Sequence, residues 1–81
     1  MQDPDIFTYI NELSAEEERL YAEASDGSGL STVASQRLEA IKVELDRCFD
    51  LLHQRQARRA AGLDPAEATL RPAEVVERYQ Q

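Results

Sequence analysis

The sequence predicts an all-α protein: an antiparallel helical hairpin, about 4–24 and 31–61, with a short C-terminal helical segment packed on it. Three observations carry this reading. Ala34, Leu38, Ile41, Leu45, Cys48 and Leu52 repeat at four-three spacing without a break, the period of one helix face. Ile6, Ile10, Leu13, Leu20 and Ala24 follow the same rhythm with one gap. Between the stripes stands Asp26-Gly27-Ser28-Gly29, where two glycines supply the permissive backbone of a helix end and a reversal.

The first helix is expected over 4–24. Asp3 reads as its N-cap, and Pro4 fits the first helical position, where a missing N–H costs nothing. Asp5 suits the positive end of the helix dipole. The loop, 25–30, is short, so the next helix must return beside the first. That second helix is expected over 31–61, opening at Ser31 or Thr32 and stopped by Gly62. At 1.5 Å per residue it is about 45 Å long against about 31 Å for its partner, so its last turns need another cover. The C-terminal segment, 62–81, is the candidate. Asp64-Pro65-Ala66-Glu67 has the capping-box pattern of a helical start, and Arg71-Pro72 interrupts it. Residues 72–79 form a last short helix with Val75, Val76 and Tyr79 on one side, too short to stand alone in water. Its expected seat is beside Phe49 and Leu52. No repeat or low-complexity run divides the chain, so 1–81 is read as one domain.

A reversal near residue 28 pairs residues whose numbers sum to about 56–58: Leu13 with Leu45, Ile10 with Cys48, Ile6 with Leu52, Leu20 with Leu38. The gap in the first stripe holds Glu16 and Glu17 and falls opposite Ile41. Burying an unpaired carboxylate costs several kcal/mol, so Glu17 is expected to reach solvent or to pair with Arg37 or Lys42. A sharper reading makes Glu17 a polar seam residue that specifies register or partner. Phe7, Tyr9, Tyr21, Phe49 and Leu51 lie partly off the seam and need a neighbour, either the C-terminal segment or a second chain.

The net charge is −7, which opposes nucleic acid and anionic membrane surfaces. It is unevenly spread: residues 1–29 carry −7, residues 30–62 carry +2 and residues 63–81 carry −2. Opposite signs on successive helices suit antiparallel packing, and equally suit two copies meeting. A chain of this length buries a thin core, and small folds are often reinforced by a disulfide, a metal or a partner chain. Cys48 is the only cysteine, which excludes an intramolecular disulfide, and no Cys/His cluster has zinc spacing. A homo-oligomer, most simply a dimer forming a four-helix bundle, is the remaining reinforcement. Met1-Gln2-Asp3-Pro4-Asp5 lacks the basic and apolar regions of a secretory signal, and no apolar run approaches 18 residues. The expectation is a cytoplasmic protein that neither spans nor binds a membrane.

Little in the chain reads as catalytic chemistry. Cys48 lies on the apolar stripe and reads as a small buried hydrophobe. Asp50 and His53 sit one helical turn apart, as the Glu-x-x-His pairs of di-iron bundles do, but one such pair with no glutamate opposite reads as solvated. Arg55, Arg58 and Arg59 form the one basic cluster. They either complement the C-terminal end of a helix, with Asp3 and Asp5 near Arg55 by the same pairing rule, or grip an acidic protein partner. With Phe49 and Tyr79 they make the candidate partner-binding surface. No phosphate loop or Ser/His/Asp arrangement is present, so no enzyme activity, cofactor or metal is expected. The run from Leu38 through Glu44-Leu45-Asp46-Arg47 to Arg55 resembles the first helix of all-helical chorismate mutases. There that helix comes first and two more complete the site, whereas here only about twenty residues follow.

A closer resemblance rests on Glu44-Leu45-Asp46-Arg47-Cys48-Phe49-Asp50-Leu51-Leu52, then Arg55, Arg58, Arg59, Gly62, Asp64-Pro65, Arg71-Pro72, Val75-Val76-Glu77 and Tyr79, with Glu16-Glu17-Glu18 upstream. These residues resemble domain-of-unknown-function family 2630, short and mostly actinobacterial proteins. The family commonly has Trp where Phe49 stands and Arg near His53, which weakens a role for His53. No activity is assigned to it, so the resemblance implies no catalytic residues. Two functions from different classes follow: a protein-interaction or structural module, homodimeric, or a metal- or small-ligand-binding helical bundle.

Overall fold

A computed structural model describes residues 2–25 and 29–79, the side chain of Tyr79 excepted. The expected reversal at Asp26, Gly27 and Ser28 therefore lies outside the described residues. Four elements follow in order: α1 (Asp3–Ala24), α2 (Thr32–Ala60), a 3-10 turn (Pro65–Glu67) and α3 (Ala73–Tyr79). There is no strand among the described residues. The fold is the predicted one, two long helices packed on each other with a short third helix beside them.

The helix ends follow local chemistry, with one correction at the start. Gln2, not Asp3, is the N-cap of α1, and its backbone N–H donates to the Asp5 carboxylate at 3.1 Å. Asp3 is the first helical residue, which leaves its carboxylate for other partners. Ser31 caps α2, its Oγ accepting from the Ala34 N–H at 3.1 Å. At the other end Gly62 takes φ +76°, and two bonds close the helix: Gly62 N–H to Arg59 at 3.1 Å and Leu63 N–H to Arg58 at 2.8 Å. This is a Schellman motif, and its left-handed residue is why a glycine stands there. Asp64 caps the next turn by accepting from the Ala66 N–H at 2.9 Å. Glu67 does not return the bond as a capping box would; its carboxylate goes to Arg58 at 2.6 Å.

The seam holds one contiguous core of Ile6, Leu13, Ile41, Cys48, Leu51 and Leu52, flanked by Tyr9, Ile10, Leu20, Leu45 and Ala68. Ile6 and Ile41 are completely buried, and each such side chain stabilises the fold by about 1.5–3 kcal/mol. At the open end Arg55 meets Asp3, a pair summing to the expected 58, whereas two side-chain pairs further along reach across by nearly a helical turn. Tyr9 Oη donates to Glu44 at 3.3 Å, and the Arg37 guanidinium grips Glu16 through two bonds of 2.6 and 2.7 Å. Both pairs sum to 53. The second of them sets Glu16 opposite a cation.

The C-terminal segment runs back along α2. The 3-10 turn and its flanks cover the basic end, with Ala68 against the core. Next, Gln54 donates to the Thr69 carbonyl at 2.9 Å and Arg47 to the Arg71 carbonyl at 3.0 Å. Arg71 closes on the carboxylate of Asp50. α3 then lies against the middle of α2, where Val76 is buried. This corrects the expected seat beside Phe49 and Leu52: the polar anchors at Asp50 and Arg47 carry the short helix past the basic end before it docks. The result is elongated and thin, 52 × 26 × 14 Å along its principal axes.

Candidate interaction surfaces

Two surfaces are built from residues that sequence reasoning singled out. The first is the basic end of α2. Its cations are turned inward. Arg55 is 3% exposed; its guanidinium donates to the Asp3 carboxylate and, at 3.0 Å, to the Pro65 carbonyl. One side chain thus ties the start of α1, the end of α2 and the 3-10 turn. Arg58 donates to the Asp64 carbonyl and to Glu67, each at 2.6 Å. Arg59 reaches the other oxygen of Asp3 at 2.7 Å and keeps 43% of its side chain in solvent. The Arg55 guanidinium, with Arg59 adding to it, holds the Asp3 carboxyl below its ordinary 3.8. The expected grip on an acidic partner is corrected in this respect: the acids the cluster binds are this chain's own, and Arg55 presents nothing to a partner.

The same pattern holds along the molecule. Arg37 pairs with Glu16, Arg47 with Glu44 and Arg71 with Asp50. The fold neutralises cations in pairs and leaves a surplus of acid on its surface.

The second surface is apolar. At about 100° per residue, Tyr9 and Glu16 on α1 and Arg37 and Glu44 on α2 lie on one side of the seam, as their bonds confirm. Phe7, Ile10 and Tyr21 on α1, and Leu45 and Phe49 on α2, lie on the other side, where Leu38 is buried. Phe7 is 52% exposed, Tyr21 56% and Phe49 47%. Ile10 and Leu45 are half-buried against the core and continue the patch inward. Phe7 and Ile10 from α1 and Leu45 and Phe49 from α2 therefore share this side of the hairpin and form an apolar face across both helices.

The remaining candidates are placed separately. Asp50 does not share a site with His53: its carboxylate accepts from Arg71 and, at 2.9 Å, from Gln54, and the His53 side chain is exposed. Arg71 first, then the Gln54 bond, holds that carboxyl below its ordinary 3.8. Among the described residues no group of three or more His, Cys, Asp or Glu side chains is placed to hold a metal ion. Cys48 is buried, and burial pushes its thiol above the ordinary 9.0. Glu17 is half-buried at the seam margin, and the described ion pairs give Arg37 to Glu16 in its place. The Tyr79 side chain, named as a partner contact, lies outside the described residues. No described helix is long and apolar enough to cross a membrane.

Sequence reasoning set Asp3 near Arg55 but did not bury Arg55 in the core, and it missed the pairing of Arg71 with Asp50. A signal existed for the first. The stripe of 45, 48 and 52 continues to 55, which puts Arg55 in the seam.

Comparisons with known proteins add a family and no chemistry. The family model described as "Protein of unknown function (DUF2630)" matches residues 2–81. Uncharacterized proteins of Mycobacterium bovis and Mycobacterium tuberculosis are 44% identical over 77 residues, covering 95% of this chain and 88% of theirs. No solved structure matches.

Proposed function

Because the chain belongs to the DUF2630 family, whose description assigns no activity, we propose a function from the surfaces alone: a small helical interaction module that pairs with a second copy of itself. The carrying observation is the uncovered apolar patch of Phe7, Ile10, Leu45 and Phe49, which spans both helices of a thin molecule. Surface area supports a second copy as the occupant. The chain exposes 5586 Å², whereas a compact monomer of 9.2 kDa exposes about 4,900 Å². The excess, roughly 650 Å², is close to the roughly 800 Å² that each partner buries in a standard interface. Two hairpins stacked on these faces make an antiparallel four-helix bundle. The acidic surface, with most arginines paired internally, supports a protein partner over nucleic acid.

Sedimentation equilibrium tests the reading. The wild-type chain sediments with twice its 9.2 kDa mass in the micromolar range, and Phe7→Glu/Phe49→Glu sediments as a folded monomer with unchanged helical circular dichroism. A wild-type monomer at several hundred micromolar, or a double variant that still dimerises, overturns it.

A further inference from the structure

Among the contacts between elements, α3 packs against α2 and against no other element. It is seven residues long, below the length at which a helix holds itself in water, so it is helical only while docked. Its letting go would leave the α1–α2 seam and the 3-10 turn in place.

Two polar attachments and one apolar one hold it. At its root, Arg71 pairs with Asp50 and the Arg71 carbonyl accepts from Arg47. In its middle, Val76 is 1% exposed. At its far end the contact has the wrong chemistry for two ionised groups. Glu77 meets Asp46 of α2, carboxyl to carboxyl, with Glu39 adding a further negative charge and Lys42 the one opposing positive charge from α2. On α3 itself Glu74 and Arg78 flank the site, one of each sign. One oxygen of Glu77, Oε1, is buried without a hydrogen-bond partner. A buried orphan oxygen on a group facing another acid calls for an explanation.

We propose that α3 is a pH-set latch: a protonated Glu77 donates to Asp46 and holds the helix on α2, and loss of that proton releases it. The proton's position accounts for the geometry. Two carboxylates repel, whereas one carboxylic acid and one carboxylate share a strong hydrogen bond. Burial first, then the bond to Asp46 and its charge, push the Glu77 carboxyl above its ordinary 4.5. The grip is therefore complete below 4.5 and is lost as pH rises through the raised value. Asp50 has the opposite dependence. Its grip on Arg71 is complete above 3.8 and is lost only as pH falls further. Raising the pH through that raised value thus weakens the far end of α3 and leaves its root attached, so the helix lifts about Pro72. Release uncovers Val76 and the strip of α2 beneath it.

Methyl NMR from about pH 5 to pH 8, above the isoelectric point near 4.5, tests the latch on the full chain. The Val76 methyls report docking and the Ile41 methyls report the hairpin. In the wild type the Val76 signals move from docked toward free positions as pH rises, and the docking constant falls by at most about tenfold per pH unit, one proton being involved. The Ile41 signals stay put. Glu77→Gln keeps a neutral donor for Asp46, and Asp46→Asn removes the facing charge; in each, Val76 stays docked across the range. Val76 signals that do not move in the wild type, or that titrate alike in wild type and both variants, overturn the proposal.

Discussion

Replacing Arg55 by Met tests whether the basic end is a clasp. Arg55 is 3% exposed and bonds both the Asp3 carboxylate and the Pro65 carbonyl. Methionine keeps most of the aliphatic stem and removes the guanidinium. Hydrogen bonds made by a charged group contribute about 1.5–3 kcal/mol, and the removed cation no longer has to be desolvated, so the net cost is about 2 kcal/mol. Arg55→Ala also loses roughly three buried methylenes at about 0.8 kcal/mol each, for a total of about 4 kcal/mol. A domain of this size is stable by only about 4–12 kcal/mol, so the alanine variant sits near the edge of folding. At 4–8 °C per kcal/mol, the methionine variant melts about 8–16 °C below wild type. Circular dichroism melts at one fixed chain concentration read this, since association would otherwise shift the midpoint. Asp3→Asn should cost much less in the Arg55→Met background than in the wild type. A methionine variant that melts with wild type, or strictly additive effects with Asp3→Asn, would refute the clasp.

Further outcomes follow from the same geometry. Ile41→Ala opens a cavity in the fully buried seam and lowers stability by about 2–5 kcal/mol in urea melts; a loss under 1 kcal/mol would mean the seam is loose. Glu17→Leu extends the apolar stripe across its gap and raises the melting temperature by about 4–8 °C, or 1 kcal/mol, with light scattering checking the oligomeric state; a clear fall argues against a tolerated seam acid. Cys48, buried and with its thiol pushed up, reacts with a thiol-specific disulfide reagent only in denaturant; rapid labelling of the native chain contradicts its placement. Asp3, Glu16 and Asp50 are held below their ordinary values of 3.8, 4.5 and 3.8 by Arg55, Arg37 and Arg71. Their contribution is complete above those values and is lost as pH falls through the depressed ones, so dilute samples melt progressively lower between about pH 5 and pH 2.5. A flat profile there would mean the ion pairs contribute nothing.

The helices were legible because their signals are local. The stripes from Ile6 to Ala24 and from Ala34 to Leu52 need only a periodic count, and Gly62 and Asp64 mark backbone positions that few residues fill. What was not legible depends on distances in space. Arg71 meets Asp50 across 21 residues, and no spacing announces it. The expected pairing came from the middle of a loop and holds for Asp3 with Arg55, whereas the Glu16–Arg37 and Tyr9–Glu44 pairs, nearly a turn off it, depend on side-chain reach that no spacing announces. The nearness of Asp3 to Arg55 was legible from the hairpin pairing; that Asp3, freed from capping, draws Arg55 into the core was not. The seat of α3 was missed because Val76 was read by hydrophobicity alone, while its position is fixed by the polar anchors just before it.

The hairpin itself is tested most directly by a distance. Nitroxide labels at Glu12 and Ala40, both exposed and on facing helices, in a Cys48→Ala background diluted with unlabelled chain, report the intrachain separation by pulsed electron resonance. Helix axes 8–10 Å apart with outward labels give about 15–25 Å. A separation near 42 Å, that of one continuous helix between those positions at 1.5 Å per residue, would contradict the fold and the surfaces built on it.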